Sequence, residues 1–396
     1  MKKKIGMVTF LSVLIGTVIL TACATLVISQ LFSIGVFNGS TLSLVTKMSS
    51  IKSLIKNDYY GEYDEDALTD KAISGYINGL GDKYAYYFNA EQATEYSDGL
   101  KGTSQGIGIN IVKHPVNGTI YICKVHKDSP AELAGLQKGD EIIKVNDSVV
   151  TDVGYSEAYD MIRESNGADF NLTINRNGEE STVTLKFSEY TVQSVFYEMI
   201  DNYAYIGITE FNDDTTPTQF KNAVNQAMAA GATGLIFDLR NNGGGTVESA
   251  AEMIDFLVPS GNIISVKYSD GSDEVLYTSD ESQIDLPMCV LVNRNTASAS
   301  ELFSASIRDY NKGVLIGAKT YGKGVMQRSY SLLDGSIVKF TVAEYFCANG
   351  ENINGVGLTP DIEISQTDEE ISNNNISPIS SDSVILAAVD YLNNNN

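Results

Sequence analysis

The chain has 396 residues, of which 43% are hydrophobic and 19% charged, and it carries a formal net charge of −23. That length accommodates two or three domains with sizeable cores. So acidic a surface argues against nucleic acid or anionic lipid as a partner. The four cysteines, Cys23, Cys123, Cys289 and Cys347, form no CxxC or Cys/His cluster, so neither a zinc site nor a disulfide framework is implied.

Lys2, Lys3 and Lys4 precede an uncharged apolar stretch from Met7 to about Phe32. It exceeds the ~20 apolar residues that a membrane-crossing helix needs. Lysines on its short N-terminal side predict that end in the cytoplasm and the rest of the chain outside. Three readings of residues 1–35 compete. Length favours an uncleaved anchor, a cleaved signal peptide comes second, and Leu20-Thr-Ala-Cys23 resembles a lipobox that would lipidate Cys23. The apolar residues from Ala24 to Phe32 speak against the lipobox, because mature lipoproteins usually begin with a polar tether. Each reading places the bulk of the chain outside the cytoplasm.

Residues 40–98 read as helices, with Leu44, Met48, Ile51, Leu54 and Ile55 at helical spacing, then Leu68, Ala72, Ile73, Tyr76, Ile77 and Leu80. Asp64 is placed to cap the second helix. Gly79-Leu-Gly-Asp82 breaks it, and Asn89 opens a third. The segment reads as a plain helical lead-in or as a gating or dimer contact, and a homodimer is compatible with it.

Over residues 99–190 the pattern turns to short strands. Gly106 to Val112 reads as a strand, Asn117-Gly118 as a hairpin turn and Tyr121 to Val125 as its partner. Ser129 to Gly135 reads as a short helix with proline near its start. A strand over Gly139 to Val145, a helix over Tyr155 to Ser165, and two strands flanking Asn177-Gly178 complete the module.

Residues 191–365 alternate strands and helices, which predicts an α/β sheet with crossover helices. The strands are Tyr203 to Ile208, Gly234 to Arg240, Met288 to Val292 and Gly313 to Gly317; the helices are Pro217 to Ala230, Val247 to Val258 and one following Ser298. Cys289 and Cys347 lie in apolar strands and read as small core residues. Leu333 to Ile337 marks a hairpin. Residues 366–396 form a polar tail, with a last helix over Ser383 to Leu392 and disorder expected from Asn393 to Asn396. GxGxxG is absent, so a dinucleotide site is not supported.

The chemistry concentrates between Asn293 and Gln327. Ser298 follows an apolar strand and opens Ser298-Ala-Ser-Glu301, which has the S-x-x-E form of a capping box. A strand-to-helix turn there offers free N–H groups and the positive end of the helix dipole to developing negative charge. A nucleophilic serine needs a base. The two histidines, His114 and His126, both fall in the strand-rich module, so a Ser-His-Asp site is not expected. Lys323, set among small and apolar residues, is the remaining candidate, since desolvation disfavours an ammonium. In an extended segment Lys323, Val325 and Gln327 share a face, from which Gln327 is expected to orient the amine.

Taken together, TASASE and YGKGVMQ resemble motifs of the carboxy-terminal processing, or tail-specific, serine proteases. GLGDKYAYYF is similar to the family's GLGDPY segment with Lys83 in place of proline. FDLRNNGGG resembles LDLRNNPGG with Gly243 in place of proline, and Gly355 to Asp361 matches the closing GxGxxPD segment. SPAELAGLQKGDEIIKVN looks like part of a PDZ domain. The resemblance implies an α/β core of crotonase-like type and a serine endopeptidase acting on proteins with exposed, apolar C-termini, with no metal or organic cofactor. By motif, Ser298 is the nucleophile, Lys323 the general base and Gln327 its supporter. The oxyanion hole is expected at the N–H groups of Gly244, Gly245 and Ala299, because a glycine-rich loop before a helix can aim bare N–H groups at an oxyanion. The same analogy assigns tail binding to Gln105, Gly106, Ile107 and Gly108, and coupling of the PDZ module to the core to Arg163. The alternative is a catalytically silent PDZ receptor or scaffold that only binds tails.

Overall fold

The computed structural model describes residues 39–114, 117–165, 167–367 and 382–395, with residues 14–18, 21 and 25 besides. The anchor expected over residues 1–35 lies almost wholly outside the described residues, as do Cys23 and the polar tail from Glu369 to Asn375. Among the described residues no helix is long and apolar enough to cross a membrane.

The chain divides into two compact units, up to Thr69 and from Asp70 onward. The first contains α1 (Gly39–Asp58), on which Leu42, Val45, Met48, Ile51 and Leu54 are all exposed. Helix α2 (Glu65–Asn78) begins as expected at Asp64, whose carboxylate accepts from the N–H groups of Asp66 and Ala67 at 2.9 and 3.1 Å.

In the second unit the lead-in departs from the helical expectation. Tyr86–Phe88 form a strand, β1, paired antiparallel with Ile337, Val338 and Lys339. Aromatic residues favour strands, and here a partner strand is on hand. Helix α3 (Ala90–Lys101) follows, capped by reciprocal bonds between Asn89 and Gln92 and closed by Gly102 at φ +76°.

The next elements are β2 (Thr103–Gly106), β3 (Ile109–Lys113), β4 (Ile120–Val125), α4 (Pro130–Leu133), β5 (Glu141–Val145), β6 (Ser148–Val149), α5 (Val150–Val153), α6 (Tyr155–Arg163), β7 (Asp169–Arg176), β8 (Glu179–Lys186) and β9 (Ser188–Thr191). The strand expected from Gly106 to Val112 is in fact two. Gly108, at φ +78°, breaks it, so that β2 pairs with β9 while β3 pairs with β4. The sheet order is β3-β4-β5-β7-β8, with β6 on β5, around a core that includes Ile120, Ile142, Leu172 and Ile162.

The remaining elements are β10 (Val195–Ile200), β11 (Tyr203–Ile208), α7 (Thr216–Ala229), β12 (Gly234–Asp238), α8 (Val247–Asp255), β13 (Gly261–Tyr268), β14 (Asp273–Ser279), β15 (Met288–Val292), α9 (Ala299–Asp309), β16 (Gly313–Gly317), β17 (Val325–Ser331), β18 (Ile337–Phe346), β19 (Ile362–Glu363) and α10 (Ser383–Asn395). The main sheet runs β10-β11-β12-β15-β16-β19, parallel from β11 onward. Strands β12 and β15 are buried at every position, as strands covered on both faces must be. Residues of α7, α8 and α9 pack into one core cluster, and Val384, Ile385, Ala388 and Leu392 of α10 pack into another with Ile236, Cys289 and Ile316. The last helix thus runs through Asn393 to Asn395, where disorder was expected. Burial pushes the thiols of Cys289 and Cys347 up to about 12, as befits inert core residues. A second sheet, β1-β18-β13-β14 with β17 on β18, contributes Val266, Ala343 and Tyr345 to the first cluster.

Candidate active site

Ser298 leaves β15 and enters α9 at φ +59° and ψ −122°, a strained setting for a residue with a side chain. Sharp strand-to-helix turns of this kind present a serine hydroxyl at the end of a sheet. The strain is held by neighbours. Glu301, fully buried one turn into α9, turns its carboxylate back to the Ser298 N–H at 2.9 Å, which is the glutamate half of the expected capping box.

The same carboxylate reaches further. The oxygen that accepts from Ser298 also accepts from the Lys323 N–H at 2.8 Å, and the other oxygen accepts from Thr320 Oγ1 at 2.5 Å and from the Gly322 N–H at 2.8 Å. Buried Tyr345 adds a second bridge, since its hydroxyl lies 3.3 Å from the Ser298 carbonyl oxygen and hydrogen-bonds to the Lys323 carbonyl. Burial, helped by Glu301, pushes its phenol well above the usual range, so it remains a donor. The backbones of Ser298 and Lys323 are therefore joined twice through buried groups. The GxGxxPD segment holds the lysine side of this frame, with Leu358 and Thr320 exchanging bonds of 3.1 and 2.7 Å and the Gly355 N–H donating to the Gly322 carbonyl at 2.8 Å.

The Lys323 amine lies over the ring of Tyr84, 4.6 Å from its centroid. Desolvation, with Lys339 adding like charge, pushes its pKa down to about 8. Among the described residues no hydrogen bond joins this amine to the Ser298 hydroxyl. Nor does Gln327 bond to it: its amide donates to the Val325 carbonyl and to Thr341 Oγ1, both at 3.2 Å. Strand β17 starts only at Val325, so the extended segment expected from Lys323 to Gln327 is not one strand, and its register against β18 shifts between Met326 and Gln327. Lys323 and Gln327 still line one cavity of about 590 Å³.

The glycine-rich loop lies against the serine. A Cβ on Gly244, at φ +102°, would come within 2.8 Å of the Ala297 carbonyl oxygen and 2.9 Å of the Ser298 Cβ, so only glycine fits. Fully buried Asn242 ties the two segments, its carbonyl accepting from the Ala297 N–H and from Ser300 Oγ, both at 3.1 Å. Its side chain corrects one expectation. Asn242 Oδ1 accepts the Gly244 N–H at 2.8 Å, so that donor is already committed. The N–H groups of Gly245 and Ala299 have no acceptor among the described residues. Ala299 is the first helical position, where an N–H has no partner within the helix.

Beneath this loop, the buried Arg240 guanidinium bonds Asp238 at 2.6–3.1 Å and Asp382, from the end of the chain, at 2.8 and 3.0 Å. Asp382 also caps α10, accepting from Val384 and Ile385. Sequence reasoning passed over Asn242, Tyr345 and Asp382. For Glu301 it offered only the capping signal.

In the strand-rich module, Gln105, Gly106, Ile107 and Gly108 line a groove of about 810 Å³ with Arg163. The N–H groups of Ile107 and Gly108 have no acceptor among the described residues, while their carbonyls take the N–H groups of Ala131 and His126, both at 2.8 Å. Gln105 reaches Glu189 at 3.4 Å. Arg163 pairs with Glu91 of α3 at 2.6 Å, with both side chains largely exposed.

A serine set on a strained elbow, its backbone tied through buried groups to that of a half-buried lysine, and an attached strand-rich module fit a serine peptidase with a PDZ domain. Comparison with known proteins agrees. Residues 202–364 match the model of peptidase family S41, residues 99–175 the PDZ domain, and residues 34–92 the N-terminal domain of the activating protease CtpB. A "probable CtpA-like serine protease" of Staphylococcus aureus strain COL is 34% identical over 362 residues, 90% of this chain and 72% of that protein. Its counterpart in Staphylococcus epidermidis is 33% identical over 368 residues, 91% of this chain and 74% of its own. A solved S41 protease structure from Bacteroides fragilis superposes at a TM-score of 0.51 with 21% identity, over 86% of this chain and 92% of that one, a likeness of fold. The chain belongs to peptidase family S41, as a carboxy-terminal processing serine protease with a PDZ domain.

Proposed function

We propose that the chain is an extracytoplasmic endopeptidase in which Ser298 and Lys323 form a catalytic dyad and the PDZ groove captures apolar C-terminal tails. The observation that carries this reading is the buried frame of Glu301 and Tyr345, which sets the backbone of Ser298 beside that of a lysine whose pKa is pushed down to about 8.

Neutral Lys323 takes the Ser298 proton as Oγ attacks the scissile carbonyl. The N–H groups of Ala299 and Gly245 stabilise the oxyanion, each such donor being worth about 3 kcal/mol. Lys323 then protonates the leaving amine, and water hydrolyses the acyl-enzyme. Gln327 supports the lysine from the same cavity once its own bonds rearrange. In the groove, the N–H groups of Ile107 and Gly108 receive the terminal carboxylate while the tail lies along β3, and Arg163 couples the groove to α3. An N-terminal anchor over residues 1–35 keeps the enzyme at the outer face of the membrane, in keeping with the three leading lysines. A crotonase-like description of the core, and a homodimer, belong to the same reading.

The test is cleavage of a protein with an apolar C-terminal tail. Ser298→Ala is expected to lower kcat/KM by at least about a thousandfold, with tail binding kept. Lys323→Met should behave alike. A Ser298→Ala protein that still cleaves contradicts the dyad, and a wild-type protein that binds tails without cutting them returns the silent-receptor reading.

A further inference from the structure

Lys83, which stands where the resembling motif has proline, makes contacts that a proline could not. Its amine donates to the Tyr321 hydroxyl at 3.1 Å, lies 5.0 Å from the centre of that ring and 4.8 Å from the centre of the Tyr84 ring. Tyr321 is two residues from Lys323. Asp82 fixes the segment from the other side, accepting from the Tyr84 N–H at 2.9 Å and from the Thr341 N–H at 2.8 Å. Thr341 is also the residue whose hydroxyl holds the Gln327 amide. Tyr84 is thus held through its backbone by Asp82 and over its ring by Lys83, and the Lys323 amine also lies on that ring.

We infer that Tyr84 is a positioning residue that parks the Lys323 amine away from Ser298 in the resting enzyme, with the Lys83–Tyr321 contact as the catch that keeps the ring in place. An aromatic face attracts an ammonium, and more strongly out of water. It does nothing comparable for the neutral amine that the reaction needs. The catch itself is exposed and therefore weak, so the parked state is held by a margin that a bound substrate can overcome. The segment also has a mechanical link to the substrate groove. Tyr84 leads through β1 into α3, and Glu91 of α3 is the partner of Arg163, which lines that groove. A tail carboxylate entering the groove competes with Glu91 for the guanidinium and loosens the segment where it meets the PDZ module.

This inference rests on the Ser298–Lys323 dyad, and Ser298→Ala serves as the control that separates the two. The experiment compares a short peptide lacking a docking tail with a protein that carries one. Tyr84→Leu keeps the amine covered but removes the aromatic face, and Tyr321→Phe removes only the acceptor of the catch on an exposed ring. Each is expected to raise kcat on the tail-free peptide, by about tenfold for Tyr84→Leu and less for Tyr321→Phe, with KM little changed and the advantage of the tailed substrate reduced. In a Ser298→Ala background, both should speed modification of Lys323 by an amine-acylating reagent, read by peptide mass spectrometry. If wild type is active and Ser298→Ala is dead, yet both variants leave tail-free turnover and Lys323 modification unchanged or slower, the parking role is overturned. If Ser298→Ala is as active as wild type, the dyad itself has failed instead.

Discussion

Two halves of the same site are built to different standards. The frame behind Ser298 and Lys323 is buried, and each of its polar groups has several partners: Glu301 takes four donors, Tyr345 reaches two carbonyls and Asn242 stitches the glycine-rich loop to the elbow. The face in front of it rests on weaker and more exposed contacts: a ring under an amine, Lys83 on Tyr321, and Arg163 on Glu91. The difference teaches where this enzyme keeps its freedom. Backbone geometry is stored in the core, at high cost to disturb, while the position of the Lys323 amine is left to weaker contacts nearer the surface.

The sharpest way to break the comparison is to strike the frame. Glu301→Ala leaves three N–H groups and a hydroxyl without their acceptor, and is expected to cost about 4 kcal/mol or more of stability, with loss of cleavage; denaturant unfolding and kcat/KM check both. Asp382→Ala comes next. Arg240 keeps Asp238 but loses its bond to the last helix, and α10 loses its cap. Unfolding should show a loss of roughly 2–3 kcal/mol, with reduced turnover wherever the glycine-rich loop feels the change.

The exposed face should respond in titration and not in stability. A lysine with a pKa near 8 is mostly charged below that pH and mostly neutral above it. In the proposed dyad only the neutral form can accept the serine proton, so that proposal predicts that kcat/KM rises with pH through about 8 and levels off. Lys339 is a cause of the depression. Lys339→Ala should therefore move the rising limb to higher pH and lower activity at neutral pH, as a pH–rate profile would show. The smallest expected effect is that of Arg163→Ala. Exposed pairs contribute only about 0–1 kcal/mol, so the melting temperature should barely change, while the preference for tailed over tail-free substrates should. An unchanged preference removes Arg163 from the coupling.

How far the sequence could be read follows the same division. Local signals sufficed for the elbow: an apolar run, a serine and a glutamate three residues on place Ser298 between β15 and α9. The lysine followed from the scarcity of histidine and from its apolar setting. What escaped were contacts between distant parts of the chain. Nothing near Lys323 announces that Tyr84, in a segment far upstream, supplies the surface under its amine, or that Tyr345 bridges the two backbones. The register shift in β17 has no sequence marker, and it sends the Gln327 amide to Thr341. The Gly244 N–H looked free because glycine loops often leave donors bare. The side chain two residues earlier claims it, as asparagine in a turn readily does.

The most direct measurement is the rate at which a fluorophosphonate labels the serine, followed from about pH 6 to about pH 10 with the modified peptide identified by mass spectrometry. The account predicts a label on Ser298, a rate that climbs through about pH 8, and loss of that climb in Lys323→Met. A label on another residue, or a rate on Ser298 that is flat with pH and indifferent to Lys323, would contradict it.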